Sequence, residues 1–208
     1  MQARGMAANL GSLHEQGLRC ILTANERTAP VCFLKSPFHR DPKMLFVVML
    51  GGKHPRARIE VHDVAFVVAD TLQAAYQQLR QAWFGSPEGL HVDSWMRVDG
   101  VEKWKVELSP LAPSPGSQRL FFINLGGYEA HSFGEAHHYL LVVAETRKEA
   151  MAKGKRQMLN HWTQPHTDGV LDVDDCLPID EVAGRYIHLV EGDHAGITQR
   201  NDYIVIPR

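Results

Sequence analysis

The sequence predicts an α+β protein built from two ββαββ units in tandem, related by a pseudo-two-fold axis, with one helix packed on a sheet in each unit. Three observations predict this. First, LFVVMLGGKHPRARIEVHDVAFVVADTLQAAYQQLRQAWF at 45–84 and LFFINLGGYEAHSFGEAHHYLLVVAETRKEAMAKGKRQML at 120–159 align without a gap, at an offset of 75 positions. Second, each copy carries apolar runs at strand period that give way once to a helical period. Third, LAPSPGSQ at 111–118 is rich in Pro, Ser and Gly where a boundary between copies is expected. The chain therefore divides into an extension (1–43), a first repeat (44–110), a linker (111–118), a second repeat (119–191) and a C-terminal strand extension (192–208).

The extension shows no sustained periodicity and has no counterpart in the repeat. It reads as a poorly ordered tail, or as sequence lying upstream of a native start at Met44, with ILT at 21–23 and VCFL at 31–34 as its only strand-like runs. Leu45–Leu50 is a continuous apolar run that predicts a buried strand ending in a tight turn at Gly51-Gly52. A basic connection, KHPRAR at 53–58, leads to a second strand over 60–69. Thr71 is the expected N-cap of a helix whose apolar stripe is Leu72, Ala75, Tyr76, Leu79, Ala82 and Trp83. Strands over 94–98 and 103–108 are predicted to form a hairpin across Asp99-Gly100. In the second copy, strands are expected at 120–125 and 137–144, and a helix begins at Thr146, where TRKE supplies a capping box with Glu149. Strands near 170–173 and 185–190 close the unit around an acidic insertion from Asp174 to Glu181, and Tyr203–Ile206 adds a terminal strand.

Two copies in one chain drift apart unless something holds a position, so identical residues at the constant offset are informative. Most are leucine, valine, alanine or glycine, which packing or turns explain. The exceptions are Glu60 and His62, matched by Glu135 and His137, and His91 and Asp93, matched by His166 and Asp168. Each pair has i, i+2 spacing, which on a strand puts both side chains on one face. Imidazole and carboxylate together are the ligand set of Zn²⁺, Mn²⁺ or Fe²⁺, and His62, His91 and Asp93 are the candidates for metal binding. The alternative is a buried network in which each imidazole donates to a carboxylate.

The pattern resembles a bacterial domain-of-unknown-function family, number 1543. The residues that carry the resemblance are LFVVMLGG at 45–52, EVHDVAFVVAD at 60–70, WFG at 83–85 and LHVDSWMRVDG at 90–100. The second copy departs from it: His138 stands in place of Asp63, and Met158-Leu159-Asn160 in place of Trp83-Phe84-Gly85. The resemblance implies a one- or two-copy fold unit and no mechanism.

Composition narrows the function further. Formal charge is −2. The residues from Met44 onward carry 16 Lys and Arg against 21 Asp and Glu, a balance that argues against a nucleic-acid platform. No apolar run approaches the roughly 20 residues of a membrane span. Cys20, Cys32 and Cys176 form no CxxC pair, which fits a reduced, cytoplasmic setting. No phosphate-loop, GxSxG or Cys–His signature is present. Two function classes remain. The first is a small-ligand- or protein-binding module, a monomeric pseudo-dimer or a homodimer, with no cofactor expected beyond a divalent transition metal. The second is a metal-dependent hydrolase that uses the Glu-x-His and His-x-Asp pairs. They differ in whether those side chains meet in an open cleft. A scaffold role would instead show as an exposed apolar patch around Trp95 and Trp104.

Overall fold

A computed structural model describes residues 43–128, 131, 133–159 and 172–208. The expectations for residues 1–42, and for His166 and Asp168, fall outside them. The described chain is α+β, mostly strands with two α-helices.

The apolar run at Leu45 forms the centre of the first sheet. Strand β1 (Met44–Gly52) pairs antiparallel with β2 (Val61–Ala69) on one side and β3 (His91–Val98) on the other. Strictly alternating residues of β1 face two different cores. Phe46, Val48 and Leu50 lie under a 3-10 turn (Gln73–Ala75) and helix α1 (Tyr76–Ala82), whose Leu72, Ala75, Leu79 and Trp83 are all buried there. Leu45 and Val47 instead meet the second half of the chain, together with Val68, Val98, Leu120 and Phe122. Thr71 caps the 3-10 turn through Ala74 N–H (3.2 Å), and the α-helical part is shorter than its apolar stripe implies.

Strand β6 (Arg119–Tyr128) pairs with β7 (Glu135–Ala144) and β8 (Asp172–Pro178), and helix α2 (Arg147–Leu159) covers a third core built on Phe121, Ile123 and Val142. Gly154 lets α2 sit close to β6: a Cβ there would lie 3.1 Å from Ile123 Cγ2. The capping box forms with a shift of one residue. Thr146 Oγ1 accepts from Glu149 N–H (3.2 Å), and the Glu149 carboxylate accepts from Glu145 N–H (3.2 Å).

Three expectations are corrected. Gly51-Gly52 is the end of β1 rather than a turn. The hairpin after β3 does not fold across Asp99-Gly100. Instead β4 (Gly100–Val101) pairs with β5 (Trp104–Ser109) around Glu102, which takes φ 57°, and these strands belong to a different sheet from β3. The acidic segment after Asp174 is not an insertion, because most of it is β8 itself; β9 (Glu181–Val182) and β10 (Arg185–Glu191) follow around Ala183, at φ 51°.

The two hairpins join through β5 and β10 into one four-stranded sheet, with Glu107 opposite His188 at its centre. Beyond it, β11 (Ile197–Arg200) and β12 (Ile204–Val205) both lie along the outer edge of β3. Only the second of these follows from the sequence pattern. Trp95 and Trp104 are half-buried against the first and second cores, so they form no common exposed patch.

Candidate functional site

Gly51 is the pivot of the site. It lies opposite His62 in β2 and opposite His91 in β3, so both imidazoles come from residues that flank one glycine. A bulge in β3 leaves Asp93 without a partner in β1, and its side chain turns toward the same place. A Cβ on Gly51 would lie 2.5 Å from both His91 Nε2 and Asp93 Oδ2. The glycine is therefore required for close approach, not for positive φ.

Four side chains predicted from the sequence meet over this hole. Asp93 lies between the imidazoles, with Oδ2 3.2 Å from His62 Nε2 and Oδ1 3.3 Å from His91 Nε2. Glu60 closes the ring, with Oε1 3.3 Å from His91 Nε2 and Oε2 3.9 Å from His62 Nε2. The cluster is open on one side: the Glu60 and His62 side chains are 48% and 49% exposed. His91 is only 2% exposed, walled by the ring of Tyr203 at 4.4 Å between centroids. The cluster is thus buried at His91 and open at Glu60 and His62.

The tautomer of His91 follows from its surroundings. Its Nδ1 lies 2.7 Å from Gly89 O, and a carbonyl can only accept, so Nδ1–H donates. In the neutral ring Nε2 then carries a lone pair directed at Glu60 and Asp93, which are themselves acceptors. Neither His91 Nε2 nor the buried Asp93 Oδ2 makes a hydrogen bond among the described residues. Facing acceptors at about 3.3 Å require a proton or a cation between them.

The second half brings together a related but different set. Glu135, His137 and Asp174 offer ligand atoms that all lie within 4.8 Å of one another. His137 Nδ1 is 3.1 Å from Asn124 Oδ1 and 3.4 Å from Asp174 Oδ2, and all three of the clustered residues are exposed. Burial, and secondarily the charge of Asp174, pushes the nearby Tyr139 phenol above its ordinary range.

Strand register in β8 sets a correspondence of its own. Gly126 lies opposite Asp172, and Asp174 occupies the bulge between Val173 and Asp175. The counterparts of His91 and Asp93 in β8 are thus Asp172 and Asp174, six positions beyond His166 and Asp168. Sequence reasoning missed Asp174. The signal was the likeness of LHVD at 90–93 to LDVD at 171–174, visible only if extra residues are allowed after the second helix.

Comparisons with known proteins agree with this picture without naming a chemistry. No curated protein matches the chain. Among solved structures it is similar to one described as the crystal structure of a protein Il1583 from Idiomarina loihiensis, at TM-score 0.60 and 28% identity, covering 80% of this chain and 99% of that one. Residues 57–108, which include Glu60, His62, His91 and Asp93, match the model of the Domain of Unknown Function DUF1543, and it is to that family that this part of the chain is similar.

Proposed function

We propose that this is a ligand-binding protein whose centre is a divalent transition metal held by Glu60, His62, His91 and Asp93. The observation that carries the reading is the buried Nε2 of His91, which faces two carboxylates at 3.3 Å and makes no hydrogen bond of its own among the described residues. Two imidazoles and two carboxylates suit Zn²⁺, Mn²⁺ or Fe²⁺. The hydrogen bond from His91 Nδ1 to Gly89 O is the usual outer support of a metal-bound imidazole, since it sets the tautomer and the ring plane.

The exposed side of the cluster, at Glu60 and His62, leaves room for a water or a ligand donor. That openness favours a second reading, hydrolysis by a metal-activated water, with one of the carboxylates as base. Binding is the primary reading because it needs only the cluster.

The same proposal treats the chain as a fused pseudo-dimer of cytoplasmic, bacterial type. Support comes from β5 and β10, where Glu107 faces His188 and the flanking pairs Val106–Leu189 and Leu108–Ile187 exchange places across them. Glu102 and Ala183, at matching points of the two hairpins, both take positive φ. The second cluster, Glu135, His137 and Asp174, with Asp172 at the register position that His91 holds in the first half, is then the diverged copy.

The test is elemental analysis of the full chain purified without chelator, with Zn²⁺ titration of the stripped protein. About one metal per chain is expected, lost in a His62→Ala, Asp93→Asn double variant whose melting temperature without metal matches the wild type. Saturating Zn²⁺ at about 100 times Kd should stabilise the wild type by roughly 2.7 kcal/mol. A wild type that carries no metal and melts identically with and without Zn²⁺ overturns the reading.

A further inference from the structure

Beside the proposed metal site lies a cavity of about 160 Å³ between the first sheet and the sheet of β6, β7 and β8. Its position relative to the cluster follows from strand geometry. Met49, Val64 and Ser94 line it. Met49 and Val64 are the next same-face residues along their strands from Gly51 and His62, and Ser94 directly follows Asp93. The cavity therefore begins one pleat repeat, roughly 6.8 Å, from the metal ligands on the same sheet face. Its far wall belongs to the other half of the chain, through Phe122, His137, His138 and Tyr139, and Trp95 borders it.

We propose that this cavity holds the body of the ligand whose head group binds the metal, and that the ligand is a small aromatic carboxylate. The proposal rests on the metal reading. A metal held by two imidazoles and two carboxylates, with an open side, takes an oxygen donor there, and a carboxylate supplies one. One pleat repeat away Met49, Val64 and Phe122 supply thioether, branched aliphatic and aromatic walls that accept a ring, with Ser94, His137, His138 and Gln199 as the polar part of the lining. The size agrees: a cavity of about 150 Å³ lined by apolar side chains holds a benzene ring. The imidazoles of His137 and His138 stand where a substituent on that ring would find a polar partner. The head group is thus held by the first half of the chain and the body between the two halves, so a single copy of the fold would bind the head and lose the wall opposite.

The experiment uses the full-length chain loaded with Zn²⁺ and two probes, phenylacetate and acetate, followed by calorimetry and by tryptophan emission, since Trp95 borders the cavity. Phenylacetate should bind at least tenfold more tightly than acetate and change the emission. Ser94→Leu, which fills the cavity without altering a metal ligand, should lower phenylacetate affinity at least tenfold while Zn²⁺ and acetate affinities stay within twofold. Equal binding of the two probes by the Zn²⁺-loaded wild type overturns the proposal and leaves the metal reading standing, and this comparison needs no variant to fold. An unchanged phenylacetate-to-acetate ratio in a folded Ser94→Leu protein also overturns it. Failure of the wild type to bind Zn²⁺ is a different result, and removes the metal reading itself together with this one.

Discussion

Gly51 decides whether two imidazoles and a carboxylate can share one point. A methyl group there would sit 2.5 Å from His91 Nε2 and from Asp93 Oδ2, far inside van der Waals contact. His91 is buried and its Nδ1 is tied to Gly89, so the ring cannot step aside cheaply. Gly51→Ala is accordingly expected to weaken Zn²⁺ binding by at least tenfold, read by competition with a chromophoric chelator, while helix and sheet content by circular dichroism stay as in the wild type. An affinity within twofold of the wild type would show that the cluster is not where the metal sits. At this scale much was legible in the sequence: the i, i+2 pairs Glu60/His62 and His91/Asp93 stood out from the repeat and do meet. The reason for Gly51 was not legible, because a glycine kept to make room and a glycine kept for positive φ look the same in a sequence.

At the scale of elements, local rules held and non-local ones did not. The α2 cap could be read from TRKE because every partner lies within five residues. Glu149 accepts from Glu145 N–H and faces Lys153 at 3.4 Å, and these contacts, the backbone hydrogen bond foremost, hold its carboxyl below its ordinary range. A carboxylate whose folded value is lowered adds stability above its unfolded value and loses it as the pH falls through the folded value. Thermal melts of Glu149→Gln should therefore lie below the wild type at neutral pH and converge with it in acid. A gap that stays constant from neutral to strongly acidic pH would rule the cap out as the source. The hairpin turns, in contrast, were misread. Asp99-Gly100 carries the usual turn signal, yet the chain turns at Glu102 and Ala183, two ordinary L-residues forced into left-handed backbone at a local cost of about 1–2 kcal/mol. Pairing of β5 with β10 holds those turns in place, and no local pattern announces a pairing between residues some eighty positions apart.

Across the whole molecule, the first sheet is completed by the far end of the described chain. Ile206 is buried in the first core, its N–H bonds to Leu90 O (3.0 Å), and Asp202 accepts from Trp95 Nε1 (3.2 Å). Ile206→Ala should cost roughly 2–5 kcal/mol in urea unfolding, the range for a buried aliphatic truncation. A loss below about 0.5 kcal/mol would mean that the segment only rests on the sheet. The sequence pattern placed one strand here but could not say what it covers. The register of β8 likewise rests on a pairing that no local pattern announces: Gly126 lies opposite Asp172, as Gly51 lies opposite His91.

The placement of Tyr203 against His91 also has a kinetic meaning. Val205 pairs with His91 itself, and Trp95 and Asp202 are 107 positions apart, so the wall of the site forms only when a very long loop closes. Local hairpins such as β1–β2 gain their contacts long before that. A metal that meets the nascent chain would find Glu60 and His62 on a formed strand while His91 still lacks its cover. On the metal reading proposed above, capture would then complete the assembly of this fold rather than seed it, the reverse of a zinc finger, whose ion organises the chain from the start.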